Sequence, residues 1–245
     1  MRFRRAGRIA DNLWYLGREE SGTYYLEGKN GAIMINGGMS CILPEVLGQM
    51  KEFGALDAIE ERGLMLSGPC HSFPFFLSTE EYFKDHPEWF GMRDGKRVGQ
   101  VIGGAQFCWS NAEARKVFVD NAERFVLESP AIDIFCTLGF DGGPACECPE
   151  CRKSTPGDLV FQLLNELIER LAVSAPHVKV ETSGGYNPVH EPPQVTKADD
   201  RLRVIWAHWG RHHGIGFDDP NYCWLENLEL WRKAAVGGLT LCMYY

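Results

Sequence analysis

The sequence predicts an α/β chain: a partial (β/α) barrel of the TIM type, preceded by a short β-rich N-terminal segment. Three observations carry that expectation. From about residue 63 onward, short apolar runs alternate with amphipathic helical stretches, the rhythm of βαβ units. The runs are apolar on both faces, as strands of a parallel sheet buried between layers must be. Five of them follow in succession, which suits a barrel better than an open sheet, although a full barrel has eight. The chain changes character near residues 55–62. Residues 1–57 therefore form the β-rich segment and residues 58–245 the partial barrel.

In the first segment "NLWYLG", "SGTYYLEG" and "KNGAIMINGG" read as short strands broken by turn pairs. The Lys29–Gly31 stretch holds an Asn-Gly pair between apolar runs, a strong hairpin signal. "SCILPEVLGQMKEFGAL" has apolar residues at helical spacing, with Ser40 as N-cap. Next, "GLMLSG" reads as a strand ending in "PCHSF". "NAEARKVFVDNAERFVLES" is a helix capped by Asn111 or Ser110, with Val117, Phe118, Ala122, Phe125 and Val126 inward. "AIDIFCTLGF" is a nearly continuous apolar strand. "DLVFQLLNELIERLAVSA" is a helix whose apolar face is Val160, Leu163, Leu164, Leu167 and Leu171. Strands "HVKVETSG" and "RLRVIWAHWG", helix "NLELWRKAAVGG" and strand "LTLCMYY" complete the order.

The net charge of −8 and a pI near 5.4 argue against a nucleic-acid binder, which needs a basic face. No apolar run approaches the roughly 18 residues of a membrane span. "MRFRRAGRIADNLWYLG" has a basic start but no apolar stretch behind it, so no signal peptide is expected. The expectation is a cytoplasmic protein whose nine cysteines are reduced.

In a βα barrel the C-terminal strand ends face one shared pocket. Those ends are Cys70 and His71 after the first strand and Asp141 after the second. Glu181, Ser183 and Tyr186 come with the third, His208, Trp209 and Arg211 with the fourth, Tyr244 and Tyr245 with the fifth. Aromatic faces stack on pyranose rings while carboxylates and imidazoles take hydroxyls, so the set suits a sugar. Glycoside hydrolysis needs a pair of carboxyl groups. Asp141 is the first candidate: burial behind an apolar strand would raise its pKa, and the following Gly-Gly lets backbone approach a ligand. Its structural alternative is an Asx-turn that caps the loop. Glu181 is the second candidate; an ordinary paired glutamate is its alternative. His71 and His208 could hold hydroxyls or be satisfied packing histidines. Trp89 and Phe90 could wall a subsite or be core.

"CECPEC" places Cys146, Cys148 and Cys151 in C-x-C-x2-C spacing. Thiolates so close suit a tetrahedral metal such as structural zinc, which takes four ligands. Cys70, Cys108, His71 or Asp141 could complete the set if the fold brings one near. A disulfide and free packed thiols are the other two states open to them.

The motifs "ERGLMLSGPCHSF", "STEEYFKDHPEWFGMRDGKRV", "FCWSNAEARKVFVDN", "GFDGGPACECPEC" and "LCMYY" follow one another through residues 58–245. On them this stretch resembles a family of bacterial domains of unknown function, built as a glycoside-hydrolase-like barrel distantly similar to α-glucuronidases. The resemblance implies a carbohydrate-active domain acting on an oligo- or polysaccharide. Arg211 could then pair bidentately with a uronic carboxylate; a surface or structural ion pair is its alternative. "DNLWYLGREESGTYYLEGKNGAIMINGG" is similar to the opening strands of a metallo-β-lactamase-fold protein. That family's His-x-His-x-Asp-His motif is absent, and the first histidine is His71. The alternative functions are a non-catalytic carbohydrate-binding domain or a truncated, inactive fusion fragment. Self-association through open barrel edges is expected.

Overall fold

The computed structural model describes residues 6–18, 21–28, 31–35, 43–61, 63, 65–99, 106–139, 141–208, 214–216, 218–219, 221 and 224–242. The chain opens with strands β1 (Gly7–Ala10), β2 (Leu13–Arg18), β3 (Ser21–Gly28) and β4 (Gly31–Ile35), an antiparallel meander in that order. Gly28 pairs with Gly31, which sets the β3–β4 hairpin where the Asn-Gly signal falls. Lys29, Asn30 and Ser40 themselves lie outside the described residues.

Helices α1 (Leu43–Glu52) and α2 (Ala55–Glu61) follow. The sequence reads as one helix through Leu56, but Gly54 takes φ 71°. A left-handed glycine ends a helix, so the stretch is two helices at an angle set by that residue. Leu16, Val46 and Met50 are buried in the apolar cluster that fills the rest of the molecule.

Strand β5 (Ser67–Gly68) leads into the short helices α3 (Phe73–Phe76) and α4 (Thr79–Tyr82). A hairpin of β6 (Met92–Arg93) and β7 (Lys96–Arg97) turns through Asp94 at φ 50° and Gly95 at φ 74°, the doubly positive pair a type I′ turn requires. Helix α5 (Ala112–Glu128) starts where the side chain of Asn111 accepts from Ala114 N at 2.9 Å. After β8 (Ile134–Cys136), helix α6 (Pro156–Ser174) begins with proline in its first turn and with the Thr155 hydroxyl accepting from Asp158 N. Strands β9 (Lys179–Gly184) and β10 (Leu202–Trp206), helix α7 (Trp224–Ala234) and strand β11 (Leu239–Leu241) close the order.

The second sheet has five strands, ordered β5-β8-β9-β10-β11, with every neighbouring pair parallel. Its strands therefore lie side by side in chain order, without a reversal. Helices cover one face: Phe135 packs against Phe76 and Phe125, and the Trp206 indole donates to Asn227 of α7 at 2.9 Å. Because side chains alternate across a strand, the neighbouring residues Cys136, Glu181 and Arg203 turn to the opposite face. The register pairs Cys136 with Glu181 and Glu181 with Arg203, making a polar row. No helix among the described residues is long and apolar enough to cross a membrane.

Several strands are shorter than the apolar runs that announced them. Of the described residues 131–139 only Ile134–Cys136 form strand. Beyond Cys136 the backbone stays buried and bonded, with Thr137 N donating to Glu181 O and Leu138 N to Cys70 O. Apolarity reports burial, and here burial outlasts the regular ladder.

Candidate functional site

The parallel sheet brings three of the sequence-selected residues to its C-terminal rim. After β9, Gly185 turns the chain at φ 66°, so close to Trp206 that a Cβ there would lie 2.6 Å from its indole nitrogen. Tyr186 follows, and its hydroxyl donates to Asp141 Oδ1 at 2.5 Å. Asp141 sits in the turn after β8, ahead of Gly142 at φ 70°. It is exposed, which corrects the expectation of a buried carboxyl. The buried run ends at Leu138, and the next turn carries Asp141 out into solvent. His71 Nδ1 lies 2.8 Å from Gly139 O. A carbonyl oxygen only accepts, so Nδ1 carries the proton. The His71 and Tyr186 rings stand 6.2 Å apart between centroids. A cavity of about 10 Å³ opens between them and Trp109 and Ser183, enough for about one water.

Glu181 lies below this rim, on the sheet's polar row. It is buried at 7% exposure, and its Oε1 is 3.4 Å from Arg203 Nε. Burial pushes its carboxyl above the usual range, with Arg203 pulling the other way. Cys70 is exposed at the end of β5. Its thiol is lowered to about 6, chiefly because Cys136 donates a hydrogen bond to it; His71 helps, while burial and Glu181 oppose. Cys136 is correspondingly raised.

His208 is half-buried and packs against Trp206 and Trp224, with ring centroids at 5.2 and 6.0 Å. It is part of the aromatic layer that leads to α7. Trp209, Arg211, Tyr244 and Tyr245 lie outside the described residues. Trp89 and Phe90 are buried, at 6% and 0% exposure, so they are core and wall no subsite. A larger groove runs between α5 and α6, on the helix layer. Most of its charges are engaged: Lys116 with Asp120, Arg170 with Asp120 and Glu123, and Glu166 with Arg115.

Beside the rim, four buried thiols converge: Cys108, Cys146, Cys148 and Cys151, with all sulfurs within 4.8 Å of one another. Cys108 completes the trio; among the described residues neither Cys70, His71 nor Asp141 belongs to this group. The four could hold a metal ion. Cys108 Sγ is 3.6 Å from Cys148 Sγ and 3.8 Å from Cys151 Sγ, well beyond the roughly 2 Å of a disulfide. Hydrogen bonds from Cys146 and Cys151 lower the Cys108 thiol, and donating that bond raises Cys146 to about 11. Cys108 lies in "QFCWSNAEARK" with no cysteine within reach in sequence, so spacing could offer it only as one of several completions. Ser110 reads in the sequence only as an alternative cap of α5. Its hydroxyl accepts from Cys151 Sγ at 3.1 Å, and a serine beside a helix cap gives no signal of such a role.

An α/β protein with a polar rim at the ends of a parallel sheet and a thiol cluster beside it is the class that the fold and site define. The chain belongs to the family described as a domain of unknown function (DUF4838), which matches residues 49–237. No curated protein and no solved structure matches the chain.

Proposed function

We propose that this is a carbohydrate-active domain, a glycoside-hydrolase-like partial barrel acting on an oligo- or polysaccharide that carries uronic acids. The observation that carries the reading is the Tyr186–Asp141 hydrogen bond with His71 beside it. An aromatic ring, a carboxylate and an imidazole held together at strand ends are what a pyranose with its hydroxyls needs. The consecutive order of the parallel strands supports a barrel segment, in which such ends form the site. Glu181 is buried on the same sheet with its carboxyl raised above the usual range, which supports a proton-holding role. The β1–β4 meander, read as metallo-β-lactamase-like, supplies structure only; the first histidine of the chain lies beyond it.

A second reading, a non-catalytic carbohydrate-binding domain, is favoured by one observation: Glu181 is already paired with Arg203. A thermal melt with a panel of neutral and uronic saccharides tests both, since a ligand that binds only the folded state raises the midpoint. A hydrolase is expected to release reducing ends and to lose on the order of 10²–10⁴-fold of that rate in Asp141→Asn. A shifted melt with no turnover leaves the binding module. No shift with any saccharide sinks both.

A further inference from the structure

We propose that Cys108, Cys146, Cys148 and Cys151 form a closed zinc site that fastens the loop bearing Asp141 to the segment leading into α5. The inference holds whatever the rim binds. Zinc–sulfur bonds of about 2.3 Å in a tetrahedron place the sulfurs about 3.8 Å apart. The pairs around Cys108 are 3.6 and 3.8 Å apart, and no pair in the cluster exceeds 4.8 Å. The spacing thus fits an ion at the centre without rearrangement of the backbone. All four residues are buried, at 3–4% exposure, so no coordination position faces solvent. Four protein ligands with none open define a structural zinc site, not a catalytic one.

The surroundings suit thiolates. Met92 N donates to Cys146 Sγ at 3.2 Å, and Cys151 N donates to Cys148 Sγ at 3.4 Å. Arg97 Nη1 stands 3.9 Å from Cys146 Sγ, a positive charge for a centre in which four thiolates outweigh a divalent ion. Donors of this kind orient and stabilise metal-bound sulfur. On binding, each thiol releases its proton to solvent and gives a sulfur lone pair to the ion.

The ion would join pieces far apart in sequence. Cys108 comes from the strap before α5, and the other three from the loop after β8. The same loop already leans on both neighbours: Gln106 N donates to Pro144 O at 2.9 Å, and Glu147 N to Met92 O at 2.8 Å. Asp141 opens that loop. A metal behind it fixes the rim from outside the pocket.

The test is elemental analysis of the chain purified under reducing conditions without chelator. One zinc per chain is expected, retained in Cys70→Ser and in Cys242→Ser and lost in Cys108→Ser. Should Cys108→Ser fail to fold, the unmutated chain decides. After zinc is stripped by chelator and cobalt(II) is added, intense sulfur-to-cobalt charge-transfer and tetrahedral ligand-field bands are expected. A folded chain that takes up neither metal overturns the proposal, as does iron in place of zinc. A mass lower by two hydrogen atoms per disulfide, with the bridge mapped to these cysteines, overturns it as well.

Discussion

Asp158 shows how much one side chain can do when its neighbours are right. It is 4% exposed, yet its Oδ1 accepts from Val195 N at 2.8 Å and Thr196 N at 2.7 Å, and its Oδ2 accepts from the Thr155 hydroxyl at 2.7 Å. Burial opposes the charge, but these donors win and hold the carboxyl at about 2 against an ordinary 3.8. A depressed carboxylate contributes stability that is full above the unfolded value and disappears as pH falls through the folded one. The window is therefore between about pH 4 and pH 2, and the contribution is about 2 kcal/mol. Urea midpoints measured across that window should fall more steeply for the unmutated chain than for Asp158→Asn. Parallel curves would mean the carboxylate is not the anchor. At this scale the sequence was partly legible. It offered Asp141, Tyr186 and His71 because strand ends in a parallel sheet converge. It could not show that Asp141 is exposed or that Arg203 partners Glu181, since both depend on where a strand stops and on cross-strand register.

Among the elements, the turn after β9 is the most demanding. Gly185 combines φ 66° with an approach to the Trp206 indole that leaves no room for a Cβ. Gly185→Ala must either strain the backbone or displace Trp206, whose indole donates to Asn227. Left-handed strain and overpacking each cost about 1–3 kcal/mol. A fall of several degrees in melting temperature is the expected outcome, and an unchanged midpoint would show that the turn relaxes freely. The helices were more readable than the strands. Asn111 and Thr155 cap α5 and α6 close to where polar-to-apolar transitions place their starts. Caps and helical periodicity are local signals. Strand length depends on a partner elsewhere in the chain, so β5 and β8 came out shorter than their apolar runs.

For the molecule as a whole, the β-rich start, the alternation of strand and helix and the parallel sheet were legible. The fourth thiol was not fixed, because the contact of Cys108 with the "CECPEC" loop is made by tertiary structure alone. At the described limits of the sheet, β5 and β11 each have a neighbour on one side only. Leu241 of β11 is 50% exposed. Unpaired strand edges with apolar side chains recruit other strands, so self-association through these edges is expected. Light scattering behind size-exclusion chromatography should show a mass that rises with loading concentration. A constant monomer mass would show the edges to be covered.

The consecutive strand order has a consequence for synthesis. Each strand of the parallel sheet neighbours the one completed just before it, so every new strand leaving the ribosome meets a finished neighbour to pair with. Growth can proceed from the N-terminal side without waiting for a distant partner, which shortens the time that apolar strands spend exposed to aggregation.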